Sequence, residues 1–358
     1  MKRYRYIYLL LTFVLAFLIT LLVYYFGDIP NRHNNGFKRN YIPHAWSTAH
    51  EIKLGDTLYE IAGATPWNIY ITVATEGEVL EVGRDQPNKI RRITIPFFRK
   101  FYDSLRLSSL SMKIDSPHVY LFAENKPAII KTALDSSIFD VRILPPGPFT
   151  REAIADTDCV ILRKMDPAIT DQLFVRYSFG TGQLKKEKNI SIIYGDGGIL
   201  TDGLLHFDEA TKKLYYIYFY RNLLLSFDTS LTAVHTFSSI DTTRSFKMKT
   251  GMVSNDGTAA YTNISPADMI NKVSAVKGGR LFNMSCLRAD NDSPSFFSDH
   301  SILDITDLRN GRYLGSIPLP VIEGHKLSRL IISGNQLIAL YPHNIQILDL
   351  HLTNDLAQ

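Results

Sequence analysis

The sequence predicts an all-β chain: a six-bladed β-propeller, closed by a strand from the N-terminal side and preceded by one transmembrane helix. Three observations carry the prediction. The stretch Leu204–Asp241 reads as four short strands separated by turns. Weaker versions of the same unit recur along most of the chain. The last recurrence is one strand short, and a spare strand stands upstream of the first.

In the clearest unit, Leu204–Glu209 is a first strand and Ala210–Lys213 a polar break. Leu214–Tyr220 (LYYIYFY) is dense in β-formers, with no glycine, proline or helix cap, so it reads as a buried strand. Arg221–Asn222 turns tightly into a third strand, Leu223–Phe227. Asp228–Ser230 turns again into Leu231–Phe237, whose alternation suits a half-exposed outer strand. One such sheet cannot bury both of its apolar faces, so it needs neighbours on each side.

Second strands recur at 67–74, 118–123, 159–164, 214–220, 280–286 and 336–341. They align on Tyr70, Tyr120, Ile161, Tyr215, Phe282 and Ile338, at intervals of 50, 41, 54, 67 and 56 residues. That spacing is looser than a WD40 or kelch array. Third strands follow at 78–82, 128–133, 172–177, 222–227, 301–305 and 344–350, and fourth strands run into prolines at Pro96, Pro145 and Pro320. Proline there marks an outer edge, where a missing N–H costs little. The sixth unit, Leu327–Leu350, supplies three strands, and Trp46–Leu54 is the spare that completes it and removes an open seam. Residues 243–268 fit no unit and read as an insertion or part of a seventh blade, and Pro266–Asn271 as a single helical turn. A β-sandwich pair would split at a linker, and none appears after residue 57.

Upstream lies the membrane signal. Lys2, Arg3 and Arg5 precede an uncharged apolar run from Tyr6 to Gly27, long enough to span a bilayer, with aromatic residues at both ends. Residues 1–27 therefore read as an uncleaved signal anchor, with residues 7–26 in the membrane and the N-terminus in the cytoplasm. A cleavable signal peptide is the rival, but no A-x-A-like site follows. Residues 28–45 are polar, carry two prolines and read as a linker, leaving 46–358 as the propeller domain. A net charge of +4, part of it from the N-terminus, does not favour a nucleic-acid partner. Cys159 and Cys286, each inside an apparent strand, are expected as buried free thiols.

No recognisable catalytic, nucleotide or cofactor motif is present. Gly195–Gly198 with Asp202, His206 and Asp208 offers oxygen and nitrogen ligands, and Asp290-Asn291-Asp292, running on to Asp299 and His300, resembles a calcium loop without its glycine and glutamate. Both read more simply as turns, and no metal site is assigned. His118 and His343 read as structural, and His325 lies at a blade boundary. Asn189, Asn263 and Asn283 head glycosylation sequons near chance frequency. Polar residues on innermost strands carry more weight, because those strands line a propeller's channel. Glu60, Lys113, Asp156, His206, Lys272 and Arg329 are the candidates, a mixed-charge set suited to a small polar or anionic ligand.

Through units such as KKLYYIYFYRNLLLSFDTSLTAVHTF and GNQLIALYPHNIQILDL, the chain resembles bacterial periplasmic propellers of the TolB-like and YVTN-like kind. It is most similar to N-terminally anchored, uncharacterised propeller proteins of bacteria. The resemblance covers about residues 46–352 and rests on blade pattern. It implies a propeller outside the cytoplasmic membrane and no particular activity. The expected function is a membrane-tethered binding scaffold, with loops such as Asp290–His300 and Arg244–Pro266 meeting an envelope protein or polymer. The alternative is a metal-assisted hydrolase or lactonase at the channel mouth. A quinone-cofactor dehydrogenase would need tryptophan-rich blades, and this chain has only Trp46 and Trp67.

Overall fold

Alternating aliphatic and aromatic residues bounded by turn-formers fold here as short antiparallel strands, because a strand such as that at 213–218 buries one face against the preceding blade and the other against the next. In a computed structural model of the chain, the described residues are 2–26, 35–73, 77–95, 110–124, 126–232, 234–243, 248–255, 258–266 and 268–352.

Helix α1 (Lys2–Phe26) is long and apolar enough over Tyr6–Val23 to cross a membrane. Strand β1 (Trp46–Lys53) follows. Blade 1 comprises β2 (Leu58–Ala64), β3 (Asn68–Val73), β4 (Glu78–Gly83) and β5 (Ile90–Thr94). Blade 2 comprises β6 (Leu110–Asp115), β7 (His118–Ala123), β8 (Ala128–Ala133) and β9 (Asp140–Ile143). Blade 3 is β10 (Phe149–Ile154), β11 (Cys159–Asp166), β12 (Asp171–Ser178) and β13 (Leu184–Lys186). Blade 4 is β14 (Gly203–Asp208), β15 (Lys213–Tyr218), β16 (Leu224–Asp228) and β17 (His235–Phe237). A hairpin, β18 (Thr250–Asn255) and β19 (Thr258–Asn263), precedes blade 5. That blade holds β20 (Asn271–Lys277), β21 (Arg280–Ser285), helix α2 (Pro294–Asp299), β22 (His300–Asp307) and β23 (Arg312–Pro320). Blade 6 holds β24 (Arg329–Ser333), β25 (Gln336–Leu340) and β26 (Asn344–Leu350).

Six four-stranded sheets result, and the sixth is completed by β1, which pairs antiparallel with β26 from Trp46↔Leu350 to Lys53↔Asn344. The ring therefore closes as the sequence predicts. The fold is a six-bladed propeller, and the inserted residues 250–263 form a separate two-stranded sheet, not a seventh blade. Three sequence expectations need correction. The fourth strand of blade 4 starts at His235, because Leu231 turns back through a positive φ of 63°. No helical turn occurs among the described residues of 266–271. A helix does stand in the loop read as irregular: α2, capped by Ser293, whose hydroxyl accepts from the Phe296 N–H, with Pro294 opening the first turn.

Each blade-to-blade seam has its own apolar cluster. Between blades 3 and 4, Phe174, Tyr216 and Phe227 interlock, with ring centroids 5.0 and 4.8 Å apart. Seam 4–5 is the thinnest, with Tyr215, Ile217, Leu224, Leu281 and Leu308 as its buried members. Polar residues supplement it: buried Asn271 donates to the Tyr218 carbonyl at 2.7 Å, and buried Asp208 accepts from Gly278 and Gly279 N–H at 2.9 and 2.7 Å.

The first strand of each blade faces the central channel, and these strands contact one another around the ring. Antiparallel order then fixes two faces. The upper face collects the connections between blades and those between second and third strands; the lower face collects the remaining turns. Cys159 is a buried free thiol opening β11, whereas Cys286 is a partly buried free thiol just past β21.

Residues 35–45, expected as linker, dock on the propeller. Buried Arg39 forks onto Asp304, with Nε–Oδ1 at 2.8 Å and Nη2–Oδ2 at 3.1 Å, and its Nη1 meets Asp292 Oδ2 at 2.6 Å. Tyr41 bridges Ser316 in parallel along β23, so the proline-bearing outer strand of blade 5 gains a short extra partner. Residues 28–34 of the expected linker lie outside the described residues.

Candidate functional site

Strand alternation places one polar side chain from each of five inner strands at similar depth. In β6, Met112 and Ile114 are buried in the seams, which turns Lys113 to the channel. The same logic sets His206 on β14, between Leu205 and Phe207, and Ser274 on β20, between Val273 and Ala275. Glu60 on β2 and Glu152 on β10 follow register shifts at Leu58/Glu60 and Phe149/Arg151.

These residues pair across the seams. Lys113 Nζ donates to Glu60 and lies 4.0 Å from Glu152 Oε1. Ser111 Oγ donates to Glu152 at 2.7 Å, and His206 Nε2 meets Ser274 Oγ at 2.8 Å. Glu60 and Lys113 each keep 29% of their side chains exposed, while Glu152 keeps 8%. The cluster is thus enclosed by protein yet reached by channel water.

Enclosure sets the protonation states. Burial pulls the Lys113 ammonium down, but the Glu60 and Glu152 charges outweigh it and hold its pKa above the ordinary lysine value. Burial pushes the Glu152 carboxyl up, against Lys113 and Ser111. Burial, then the Lys113 charge, pushes His206 down to about 4, so its ring is neutral near pH 7. Above them, in the turn between β7 and β8, Glu124 is pushed up to about 7 by burial and then by Glu152. A carboxyl that titrates near neutrality is a group a binding event can protonate or ionise at little cost.

A second tier locks the loop from 187 to 202. Arg151 Nη2 lies 2.8 Å from Asp202 Oδ2, and its guanidinium sits 5.3 Å from the Phe219 ring centroid. Behind it, Arg163 is 2% exposed and donates to the Thr201 carbonyl and hydroxyl, both at 2.6 Å. The carbonyl also accepts from Tyr216 Oη at 2.9 Å.

The structure brings Glu60, Lys113 and His206 together and sets Arg329, exposed at the start of β24, near enough to oppose the Lys113 charge. Lys272 is exposed on the upper rim, beside Cys286 and Lys326. Asp156 does not join them. It lies beyond the end of β10 in an exposed lower-face turn, where its Oδ1 accepts from the Asp158 N–H at 2.7 Å. The blade 3 residue at the matching position is Glu152, four places into β10; setting the strand start at Phe149 would have found it. Glu124, Arg151, Ser111 and Ser274 are absent from the sequence-based set, and Asp202 stands there only as a loop ligand, because such residues acquire a channel position only through closure of the ring.

In both acidic loops the carboxylates already have partners within the chain. Asp196 accepts from Gly198 and Leu200 N–H at 3.0 Å each. Asp202 pairs with Arg151, His206 with Ser274, and Asp208 caps the blade 5 turn. Asp292 binds Arg39 and the Tyr41 hydroxyl (2.6 Å), Asn291 binds the Arg39 backbone, and Asp290 accepts from Asn35 N–H at 2.8 Å. Among the described residues, no group of three or more His, Cys, Asp or Glu is placed to hold a metal ion. Asn283 is buried, with its Nδ2 on Asn271 Oδ1 at 2.6 Å, so that sequon is a core residue.

No family model and no curated protein matches the chain. Among solved structures it is similar to a member of the DUF4221 family from Bacteroides vulgatus, at 11% identity over 87% of this chain and 98% of that one, with a TM-score of 0.53. It is also similar to a structural genomics protein of unknown function from Bacteroides thetaiotaomicron, at 11% identity over 88% and 74% of the two chains, with a TM-score of 0.51. Streptogramin B lyase aligns at 10% identity over 84% and 97%, with a TM-score of 0.46. The neighbours are β-propeller proteins, and at these identities the likeness concerns the fold.

Proposed function

We propose that this chain is a membrane-tethered binding propeller, held on the outer side of a bacterial cytoplasmic membrane, which takes a polar ligand or protein partner around its upper channel mouth. The observation that carries the reading is the convergence of Glu60, Lys113, Glu152 and Glu124 on one half-wet site, below Arg151 and Asp202. Both charge signs stand there within reach of a ligand of similar polarity. The basic residues ahead of the apolar run favour a cytoplasmic N-terminus, which puts the propeller outside. A metal-assisted hydrolase or lactonase is the other reading. The binding reading is favoured because Asp202, His206 and Asp208 already serve arginine, serine and backbone partners.

The test is site-specific photo-crosslinking in cells producing the full chain. A crosslinker at Tyr220, beside Arg151 and Asp202 on the upper rim, is compared with one at Ile138 on the lower face. A discrete adduct from Tyr220 that disappears with Lys113→Met, and none from Ile138, is the expected outcome. Adducts from Ile138 alone, or from neither position, would overturn the reading. A C-terminal alkaline phosphatase fusion tests the tether: an inactive fusion sinks the proposed topology.

A further inference from the structure

The hairpin β18–β19 is built unlike the blades. A lone two-stranded sheet is marginal in water unless something covers it. Its base is held: Tyr261 packs over Gly197, where an added Cβ would come within 3.2 Å of the ring, and Ile264 lies across Gly251. The rest is bare. Met252 is 61% exposed, Val253 49% and Ile264 60%. Met252 and Val253 are adjacent in the strand, so they point to opposite faces, and the hairpin presents apolar side chains on both sides.

The connection that leads to the hairpin also receives the N-terminal arm. Asn35 is clamped between the connection into the hairpin and the loop before α2: Thr242 Oγ1 donates to its carbonyl at 2.7 Å, and its Nδ2 donates to the Arg288 carbonyl at 2.7 Å. Phe26 ends α1, and nine residue steps separate it from Asn35. Fully extended, that chain reaches only about 30 Å. The connection that leads to the hairpin is therefore leashed to the helix, and exposed Lys249 at the hairpin's start suits lipid phosphates.

We infer that the hairpin β18–β19 is a second membrane contact, seating Met252, Val253 and Ile264 in the interfacial layer of the bilayer that α1 enters. The inference rests on the tethered reading above. Apolar residues exposed on both faces of a short projection, with a cation at its base, are what partial insertion among headgroups requires. Two contacts, helix and hairpin, would turn the channel mouth toward the membrane surface, where one leash alone would let the propeller tumble.

The test uses the full chain in phosphatidylethanolamine–phosphatidylglycerol vesicles. An environment-sensitive fluorophore is attached through Val253→Cys or Ile264→Cys in a Cys286→Ser background. Lower-face Trp67→Cys and Ile138→Cys serve as references, and Phe17→Cys in α1 reports the anchor. Blue-shifted emission at 253 and 264, quenched by nitroxide-labelled lipid and absent at 67 and 138, is expected. If 17 is quenched while 253 and 264 report water, the hairpin inference fails and the tether stands. If 17 itself escapes the quencher, the tethered reading fails, and the inference with it. Blue-shifted emission at 253 without lipid quenching means that protein covers the hairpin, which overturns a lipid occupant. Met252→Asp with Val253→Asp should return the Ile264→Cys signal to that of the references; an unchanged signal also overturns it.

Discussion

The two faces of the propeller are built by different rules. On the lower face the turns are short and laced to their neighbours. Arg84 donates to the Thr65 carbonyl (2.9 Å), to the Ser333 hydroxyl and carbonyl (both 3.0 Å) and to Gln336 Oε1 (Nε at 3.1 Å), joining blades 1 and 6. Lys131 reaches the Thr157 carbonyl at 2.8 Å to join blades 2 and 3, and Asp208 joins blades 4 and 5. On the upper face several connections are long, and they hold the docked arm, α2, the 187–202 loop and the inserted hairpin. The difference teaches that the lower face serves closure. The upper face carries what is not needed for closure, and loops free of that duty are where binding groups accumulate.

Unfolding experiments on the full chain can break or sharpen this contrast. The largest effect is expected from Arg39→Met, which strands Asp304 and Asp292 in a buried site. Losing one partner of such a pair costs about 3–5 kcal/mol, read as a drop in the urea midpoint, with Arg39→Lys intermediate because it cannot fork. A negligible effect would mean that the arm is not part of the folded body. Next, Asp208→Ala leaves two turn N–H groups without their acceptor, for roughly 2 kcal/mol. An effect below that of a solvent-facing control would undo the claim that the lower face is braced. Lys113→Gln leaves Glu60 and Glu152 facing each other. Because the pair is partly wet, about 1–2 kcal/mol is expected.

Smaller still are two opposed pH effects within the channel. Glu124 is raised from its ordinary 4.5 to about 7. Its contribution is therefore fully present below about pH 4.5 and is lost as pH rises through 7. His206 is lowered from 6.5 to about 4. Its contribution is present above pH 6.5 and lost as pH falls through 4. The two windows overlap and the slopes oppose, so across about pH 4 to 7 the urea midpoint should rise more steeply with pH in Glu124→Gln and fall more steeply in His206→Gln than in the parent protein. Slopes unchanged from the parent protein would refute the enclosure of these groups. The smallest effect on stability belongs to Met252→Asp with Val253→Asp, within about 0.5 kcal/mol. A larger loss would mean that the hairpin packs on its own chain.

Much of the blade pattern was legible because each strand carries its own signal. Leu214–Tyr220 reads as a buried strand, the strand runs to Tyr218, and three of its aromatic residues, Tyr215, Tyr216 and Tyr218, fill the seams on either side of blade 4. The site was less legible. Lys113 and Glu60 stand 53 residues apart and meet only because β2 and β6 lie side by side. In blade 3, a single misplaced strand start moved the choice from Glu152 to Asp156, from the channel to the lower rim, since position along an inner strand decides depth. The Asp290-Asn291-Asp292 loop resembles a calcium loop in its acids alone, and the cation that Asp292 meets is the guanidinium of Arg39, 253 residues upstream.

By itself, then, the sequence determined what local chemistry can specify. It set the apolar span of α1, the strands and turns, and the spare strand Trp46–Lys53 whose counterpart was missing at the other end. Tertiary structure alone decided which charges meet. It placed Glu60, Lys113 and Glu152 around one channel, gave the acidic loops to the chain's own backbone and to Arg39, and left Met252 and Val253 exposed on the inserted hairpin. The physical reason is range. Strand propensity and hydrophobic alternation act over a few residues, whereas pairing, burial and the pKa shifts they cause depend on ring closure, which couples residues from opposite ends of the chain.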